Sequence, residues 1–302
     1  RRGKIGQCFE SLRRASKEER PKLGKELNKL RLMVETQIAQ LQDAAKSQEL
    51  QRQLDAPPVD ITLPVSSLSS PKGSLHPVSL MGEMVVDIFS RYGFAVWDGP
   101  EVEQDFYNFT ALNIASDHPA RDMQDTFFVD GFAEPMVLRT HTSNIQIRAM
   151  LKSPPPLRLI SPGRVYRVDN DPTHSPMFHQ VECVVVDKGI SFAHLRGIID
   201  AFITTVLGKK VKTRLRPSYF PFVEPGAEVD AYVEGVGWLE LGGCGMIHPN
   251  VFESVDYDSE MYTGYAFGFG LDRMAMLYYG LSDLRQLFEG DIKFQSGFSI
   301  HS

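Results

Sequence analysis

The sequence is poor in cysteine and contains no long apolar run. Its three cysteines, Cys8, Cys183 and Cys244, are odd in number and widely separated. That pattern argues against a disulfide framework and favours a reducing compartment. No apolar stretch approaches the roughly 20 residues that a membrane-spanning helix needs, and we find no secretory signal. We therefore expect a cytoplasmic protein with no membrane partner.

The motifs of the common nucleotide-binding and hydrolase folds are also missing. No segment matches a P-loop, and the glycines of AFGFGLDR lack the βαβ context of a dinucleotide site. No serine stands in a nucleophile elbow. A zinc site made of His174, His179 and Cys183 is disfavoured because the spacing of these residues is irregular.

Charge divides the 302-residue chain into two parts. Residues 1–55 contain 13 Lys and Arg against 8 Asp and Glu, a net charge of +5, and the rest contains 19 against 30, a net charge of −11. A basic arm on an acidic body suits contact with a polyanion, although an ordinary solvated helix face would have the same composition. With 42% hydrophobic residues, the chain can also bury a large core.

Residues 18–54 carry an apolar stripe that predicts a long helix. The stripe recurs every three or four residues, at Leu23, Leu27, Leu30, Val34, Ile38, Leu41 and Ala45. Such spacing is typical of a coiled coil. We predict an antiparallel helical hairpin over residues 1–55, with a simple dimerisation coil as the alternative. The chain begins on RRGKIGQ, and we expect its natural N-terminus to lie upstream.

Beyond the hairpin, composition separates a linker from a compact domain. Residues 56–77 are rich in proline and serine, which predicts a linker. Residues 78–302 have the composition of an enzyme domain. Apolar periodicity predicts helices from about Pro77 to Tyr92 and from Leu271 to Tyr279.

Residues 164–182, RVYRVDNDPTHSPMFHQVE, predict two strands joined by a polar loop. Side chains alternate between the two faces of a strand. The side chains that this alternation places together are Arg167 and Asp169 on the first strand, and Phe178, Gln180 and Glu182 on the second. Faces this polar suggest a bed for a ligand, and an exposed hairpin with a solvated face is the alternative.

Three further features suit a nucleotide. Arginine binds phosphate oxygens bidentately, which makes Arg167 and Arg273 candidates. Paired carboxylates suit a magnesium ion that bridges phosphates, which makes Glu224 and Glu240 candidates. Glycines such as Gly268 let a flat ring lie against the backbone.

The segment LRTHTS places His141 and Ser143 immediately before an amphipathic helix. A hydroxyl at this position can contact a ligand. At the start of a helix a hydroxyl more often serves as the cap, and Ser143 or Thr142 would fill that role.

Taken in order, these segments resemble one family. GPEVE, HPARD, LRTHTS, GRVYR with FHQVE, FPFVEPGAE, GCGMIHPNV and AFGFGLDR are similar to the α subunits of bacterial-type phenylalanyl-tRNA synthetases. GRVYR with FHQVE resembles motif 2 of class II synthetases, and AFGFGLDR resembles motif 3. The resemblance implies an α+β fold: a mixed, mostly antiparallel sheet flanked by helices, with a coiled-coil hairpin that binds tRNA.

The resemblance also implies residue roles. For ATP these are Arg167 on the α-phosphate, Asp169 near the adenine amino group, Phe178 stacked on adenine and Arg273 on the β- and γ-phosphates. For phenylalanine they are His141, Ser143, Gln180, Glu182, Phe220, Phe222, Val223, Ala266 and Gly268. For Mg²⁺ they are Glu224 and Glu240. Arg167 and Arg273 would be the catalytic residues.

The implied activity is ATP-dependent formation of phenylalanyl-adenylate and its transfer to tRNA(Phe). The implied partner is a β subunit, in an α₂β₂ enzyme. Absence of an anticodon-binding domain after AFGFGLDR favours that organisation over a single-chain enzyme. Two alternatives remain at this point: a class II enzyme that activates another amino acid, and a paralogue that binds RNA without catalysis.

Overall fold

The structure is a computed structural model that describes residues 20–55, 73–117, 126–168, 175–208, 211–234 and 237–298. The chain divides into two compact units, Arg1–Ser70 and Pro71–Ser302. Within the described residues, no helix is both long enough and apolar enough to cross a membrane.

The described part of the first unit is one helix, α1, at Arg20–Leu54. Its sequence has no glycine after Gly24 and no proline after Pro21, so nothing interrupts the backbone hydrogen bonds. Leu27 is buried, whereas Ile38 and Leu41 are exposed. The predicted partner helix of the hairpin lies outside the described residues, so the hairpin remains a prediction, as does its coiled-coil geometry.

The second unit is built on a seven-stranded sheet. Its order is β1, β5, β6, β10, β9, β8, β7, and β1 runs parallel to β5 while the other neighbours are antiparallel. The strands are β1 (Ala95–Val96), β5 (Leu157–Tyr166), β6 (Met177–Asp187), β7 (Lys212–Pro217), β8 (Val223–Val233), β9 (Gly237–Ile247) and β10 (Thr263–Gly270). A small sheet contains β2 (Val102–Gln104), β4 (Met136–Leu138) and β3 (Phe128–Val129).

Helices flank the large sheet, and the predicted α+β class is confirmed. They are α2 (Pro77–Arg91), α3 (Asp105–Asn108), α4 (Asn144–Lys152), α5 (Phe192–Leu207), α6 (Pro249–Glu253), α7 (Leu271–Tyr279) and α8 (Ile292–Ser296), with 3₁₀ turns at Thr110–Leu112 and Leu284–Leu287. The predicted bounds of α7 are those observed, and α2 ends one residue before its predicted end.

One face of the sheet forms the main core. Val181, Cys183, Phe267 and Phe269 alternate on β6 and β10 toward α2, α5 and α7, and all four are buried. Burying an aromatic side chain of this size contributes about 1.5–3 kcal/mol. This apolar side of the strands holds them in register, because a shift by one residue would turn these side chains to the opposite face.

The opposite face, here called the ligand face, is divided along its length. Its covered end packs against α4, with Leu159, Val184 and Ala266 of the sheet in one cluster with Ile145 and Ile147. Its open end lies on β7, β8 and β9, where charged side chains replace apolar ones. The ligand face therefore has an apolar end and a charged end.

Candidate active site

The floor of the site is a row of paired residues that crosses the sheet. Register pairs Ser161 with Glu182, Glu182 with Gly268, Gly268 with Gly243, and Gly243 with Glu228. Directly opposed residues of antiparallel strands share a face, so all five lie on the ligand face. A methyl group at Gly268 would overlap the Gln180 amide and lie 3.1 Å from Glu182 Oε2. Glycine here makes room for the Gln180 amide next to the Glu182 carboxyl.

Glu182 lies directly opposite Gly268 with 2% of its surface exposed. Gln146 Nε2 of α4 donates to its Oε1 at 2.5 Å, and the side chains of Thr142 and Ser143 donate as well. Burial outweighs these donors and raises the pKa of Glu182 to about 8. The Ser143 hydroxyl makes no capping hydrogen bond to α4, and it donates to the Glu182 carboxyl instead.

Two hydrogen-bond acceptors beside Glu182 are buried without a partner. His141 Nε2 lies 2.9 Å from the Asn108 carbonyl oxygen, which can only accept, so Nε2 carries the hydrogen and Nδ1 is left as an acceptor. Burial lowers the pKa of His141 to about 3, with a further contribution from the Arg167 charge. Gln180 Oε1 is likewise buried and unpaired. Unpaired buried acceptors favour a ligand that donates hydrogen bonds.

An aromatic wall stands next to these acceptors. The rings of Phe220 and Phe222 lie 5.9 Å apart in a stacked arrangement, and Phe222 is 6.2 Å from the His141 ring. A methyl group at Gly243 would come within 2.9 Å of the Phe220 ring, so glycine makes room for the wall. Ala266 is 3% exposed on the floor of the covered end.

Two predicted cationic side chains, Arg167 and Arg273, contact backbone carbonyl groups near these residues. Arg167 lies just after the end of β5, its guanidinium 5.1 Å from the centre of the Phe178 ring and its Nε 3.2 Å from the Thr140 carbonyl oxygen. Arg273, at the start of α7, is exposed and donates to the Glu240 carbonyl oxygen at 2.8 Å. Asp169 lies outside the described residues.

Charged residues at the open end form a network that sequence reasoning largely missed. Arg216 bridges Glu228 and Asp230, lies 3.8 Å from Glu240, and is joined by Arg214 on Asp230 at 2.8 Å. Burial opposes ionisation of Asp230, yet the two guanidinium groups hold its pKa below the usual range. Partial burial and the charge of Glu228 raise the pKa of Glu240. The signal was available, because spacings of two in KTRLRP and AEVD place these residues on one face.

The two predicted metal ligands are not brought together. Register pairs Glu240 with Asp230, and Glu224 lies six positions earlier in β8, roughly 20 Å away at the rise of a strand. The Glu224 side chain is 75% exposed and 4.0 Å from His248 Nε2. Among the residues that the structure describes, no cluster of three or more His, Cys, Asp or Glu side chains is arranged for a metal ion.

Most of the other predicted residues do converge. The predicted residues that neighbour one another on this part of the ligand face are Glu182, Gln180, Ser143, His141, Arg167, Phe178, Phe220, Phe222, Ala266 and Gly268. Val223 lies at the first residue of β8, opposite Ile247 and within van der Waals reach of Gly245. The buried Glu182 contradicts the alternative of a solvated hairpin face.

Family models match nearly the whole chain. One described as the tRNA synthetases class II core domain (F) matches residues 58–298, and one described as the aminoacyl tRNA synthetase class II N-terminal domain matches residues 1–54.

Curated relatives are similar over about nine-tenths of their own length. The phenylalanine–tRNA ligase alpha subunit of Geotalea daltonii is 49% identical over 99% of this chain and 90% of its own. That of Laribacter hongkongensis is 50% identical over 98% of this chain and 90% of its own. Among solved structures, pyrrolysyl-tRNA synthetase from Desulfitobacterium hafniense has a TM-score of 0.56 at 18% identity, over 74% of this chain and 77% of that one, which is a likeness of fold alone.

Proposed function

This chain belongs to the class II tRNA synthetase family, among its phenylalanine–tRNA ligase alpha subunits, and from that premise we propose a role for each part of the site. The protein activates phenylalanine with ATP and transfers it to tRNA(Phe). The observation that carries this function is the part of the ligand face around Gly268, where a buried carboxyl and unpaired acceptors lie near two stacked phenylalanine rings.

The substrate's ammonium group binds at Glu182 and Gln180. An ammonium has three donors and no acceptor, which complements the Gln180 Oε1 and His141 Nδ1 atoms that lack partners. Glu182 would provide the countercharge once it is ionised. The Ser143 hydroxyl, which already contacts Glu182, holds that carboxyl in position.

The phenyl ring lies against Phe220 and Phe222, with Val223 and Ala266 completing the pocket and Gly268 beneath the head group. Aromatic rings attract each other edge to face or offset, in addition to the area they bury. The apolar wall has no evident partner for a hydroxyl group among the described residues, so tyrosine should be rejected by roughly 10²-fold only.

ATP binds along the motif 2 strand and the start of α7. Phe178 stacks on adenine, Arg167 holds the α-phosphate and Arg273 holds the β- and γ-phosphates. The family resemblance assigns the adenine amino group to Asp169, which is outside the described residues. The substrate carboxylate attacks the α-phosphorus in line, a carboxyl oxygen–phosphorus bond forms, and pyrophosphate leaves with its bonding electrons. Since the substrate itself is the nucleophile, catalysis requires positioning and charge stabilisation only.

A magnesium ion would neutralise phosphate charge during this reaction. Magnesium commonly uses one or two carboxylates together with substrate phosphates. Glu240 fits this role because its carboxyl lies near the charges of Glu228, which raises its pKa, and Arg273, which lowers it. The backbone carbonyl oxygen of Glu240 also accepts from Arg273. The other predicted metal ligand, Glu224, lies six positions before Asp230, the register partner of Glu240, and so is not placed to share that ion.

We assign residues 1–55 to a tRNA-binding arm, 56–77 to a linker and 78–302 to the catalytic domain of a cytoplasmic α₂β₂ enzyme.

Lys22, Lys25 and Lys29 are exposed on α1. Changing all three to Gln should weaken tRNA binding several-fold and flatten its dependence on salt, because phosphate contacts release counterions. Unchanged affinity and salt slope would make the helix an assembly element.

The decisive experiment is ATP–pyrophosphate exchange with each of the twenty amino acids, using the chain alone and with a β subunit. Exchange driven by phenylalanine, mainly in the presence of the partner, is the expected result. Exchange driven by a different amino acid would overturn the specificity. Absence of exchange from folded protein under both conditions would overturn the activity and favour a non-catalytic paralogue.

A further inference from the structure

Asn113 holds the backbone between the two rings of the aromatic wall. Its Nδ2 donates to the carbonyl oxygen of Pro221 at 2.6 Å, and Pro221 joins Phe220 to Phe222. Its Oδ1 accepts from Asn250 Nδ2 at 2.9 Å. Because a carbonyl can only accept, the Pro221 contact determines which way the Asn113 amide faces, and the Asn250 contact agrees with that orientation.

The backbone at Asn113 adds a second requirement. Asn113 follows the 3₁₀ turn at Thr110–Leu112 with φ 63° and ψ 25°, in the left-handed region. Asparagine and glycine tolerate this conformation better than other residues. Glycine would satisfy the backbone but provide no hydrogen bond, so asparagine is one of few residues that meets both requirements.

The segment that carries Asn113 also packs against the wall. Phe109 and Ile114 form a small buried cluster with Val137, and Phe222 lies against it. The Phe222 carbonyl oxygen accepts from the backbone N–H of His248 at 3.0 Å. Residues before and after Asn113 thus contact one ring, while its side chain holds the peptide unit between both rings.

We propose that Asn113 is a positioning residue that determines which aromatic side chains the pocket accepts. This inference rests on the proposed function, since it takes the wall at Phe220 and Phe222 to be the phenyl site. Asn113 acts through the wall: its Nδ2 donates to Pro221 and its Oδ1 accepts from Asn250, and neither contact involves the substrate.

The physical reason is the sensitivity of an apolar pocket to small displacements. One added methylene-sized group changes discrimination by roughly 10- to 200-fold in a well-packed pocket. A wall that loses its tether at Pro221 can move outward by a fraction of an ångström. The pocket would then tolerate a substituent at the para position of the ring while still accepting phenylalanine itself.

The test separates the hydrogen bond from the backbone. Asn113→Asp keeps the size and much of the backbone tolerance but replaces the donor with an oxygen that repels the Pro221 carbonyl. Asn113→Gly keeps the backbone conformation and removes the side chain. Asp256→Gly is the matched control, because Asp256 is the other described non-glycine residue with positive φ, at 59°. Each variant is assayed with the β subunit for exchange with phenylalanine and with p-chlorophenylalanine.

We expect both Asn113 variants to lower the ratio of kcat/KM for phenylalanine over p-chlorophenylalanine by roughly fivefold or more, with Asp256→Gly unchanged. Asn250→Ala, which removes only the outer hydrogen bond, should lower it by about twofold. An unchanged ratio in folded Asn113 variants would overturn the inference while phenylalanine-driven exchange by the wild type upholds the proposed function. If the Asn113 variants do not fold, an unchanged ratio in Asn250→Ala overturns it. Wild type driven by another amino acid would overturn both.

Discussion

The two ends of the ligand face differ in whether their polar and charged groups are paired. At the covered end, Glu182 and His141 are buried and Gln180 is half-buried, and Gln180 Oε1 and His141 Nδ1 are buried acceptor atoms without a partner. At the open end, Arg214 and Arg216 are about half exposed and already paired with carboxylates. The covered end therefore has buried polar groups that still lack partners, whereas the charges of the open end are already paired with one another.

This difference indicates what each end can discriminate. Buried groups with unmet hydrogen bonds discriminate strongly between ligands that satisfy them and ligands that do not. Exposed, mutually paired charges are screened by water and can be rearranged by a polyanion. We infer that amino-acid selection occurs at the covered end, and that the open end contributes mainly to ATP affinity.

The largest expected effect is at the covered end. Glu182→Gln keeps the shape of the side chain but removes the countercharge of a buried ammonium, which costs about 3–5 kcal/mol, on the order of 10³-fold in kcat/KM for phenylalanine. Steady-state exchange measures it, with Glu253→Gln on the exposed surface of α6 as the control. A loss below tenfold would mean that Glu182 is structural.

A smaller effect is expected for Arg273, the proposed ligand of the β- and γ-phosphates of ATP. Arg273→Ala should raise the KM for ATP and leave that for phenylalanine within about twofold, since a charged hydrogen bond contributes about 1.5–3 kcal/mol, roughly 10- to 150-fold. Arg285→Ala is the control, because Arg285 is an exposed arginine bound to Asp283. Equal increases in both KM values would show that the two ends are not separate.

The smallest effect is a pH dependence confined to the covered end. With a pKa of about 8, Glu182 is mostly protonated at pH 7 and must lose its proton to pair with an ammonium. Phenylalanine affinity should therefore rise by up to about tenfold from pH 6.5 to 7.5, with release of close to one proton. Calorimetry in buffers of different ionisation enthalpy measures that proton, and Glu182→Gln should abolish its release. Release that persists in the variant would assign it to another group.

Strand alternation predicted much of the site because its residues are neighbours in sequence. Phe178, Gln180 and Glu182 stand two positions apart on β6, so a local rule places them on one face. No local rule links Gln146 of α4 to Glu182, or Asn113 to Pro221, since each pair depends on how separate elements pack. The predicted pairing of Glu224 with Glu240 was wrong because alternation within a strand does not fix the register between strands. Glu240 on β9 lies opposite Asp230 of β8, six positions after Glu224.

The sequence by itself determined the class of fold, the helix periodicity, the polar faces of the strands and the family, because these depend on local spacing and on motifs that can be read in order. Tertiary structure decided which groups are buried. Burial raises the pKa of Glu182 and leaves Gln180 Oε1 unpaired, and the packing of separate elements brings Asn113 within hydrogen-bond distance of Pro221. Desolvation depends on every element that surrounds a group, so no stretch of sequence specifies it alone.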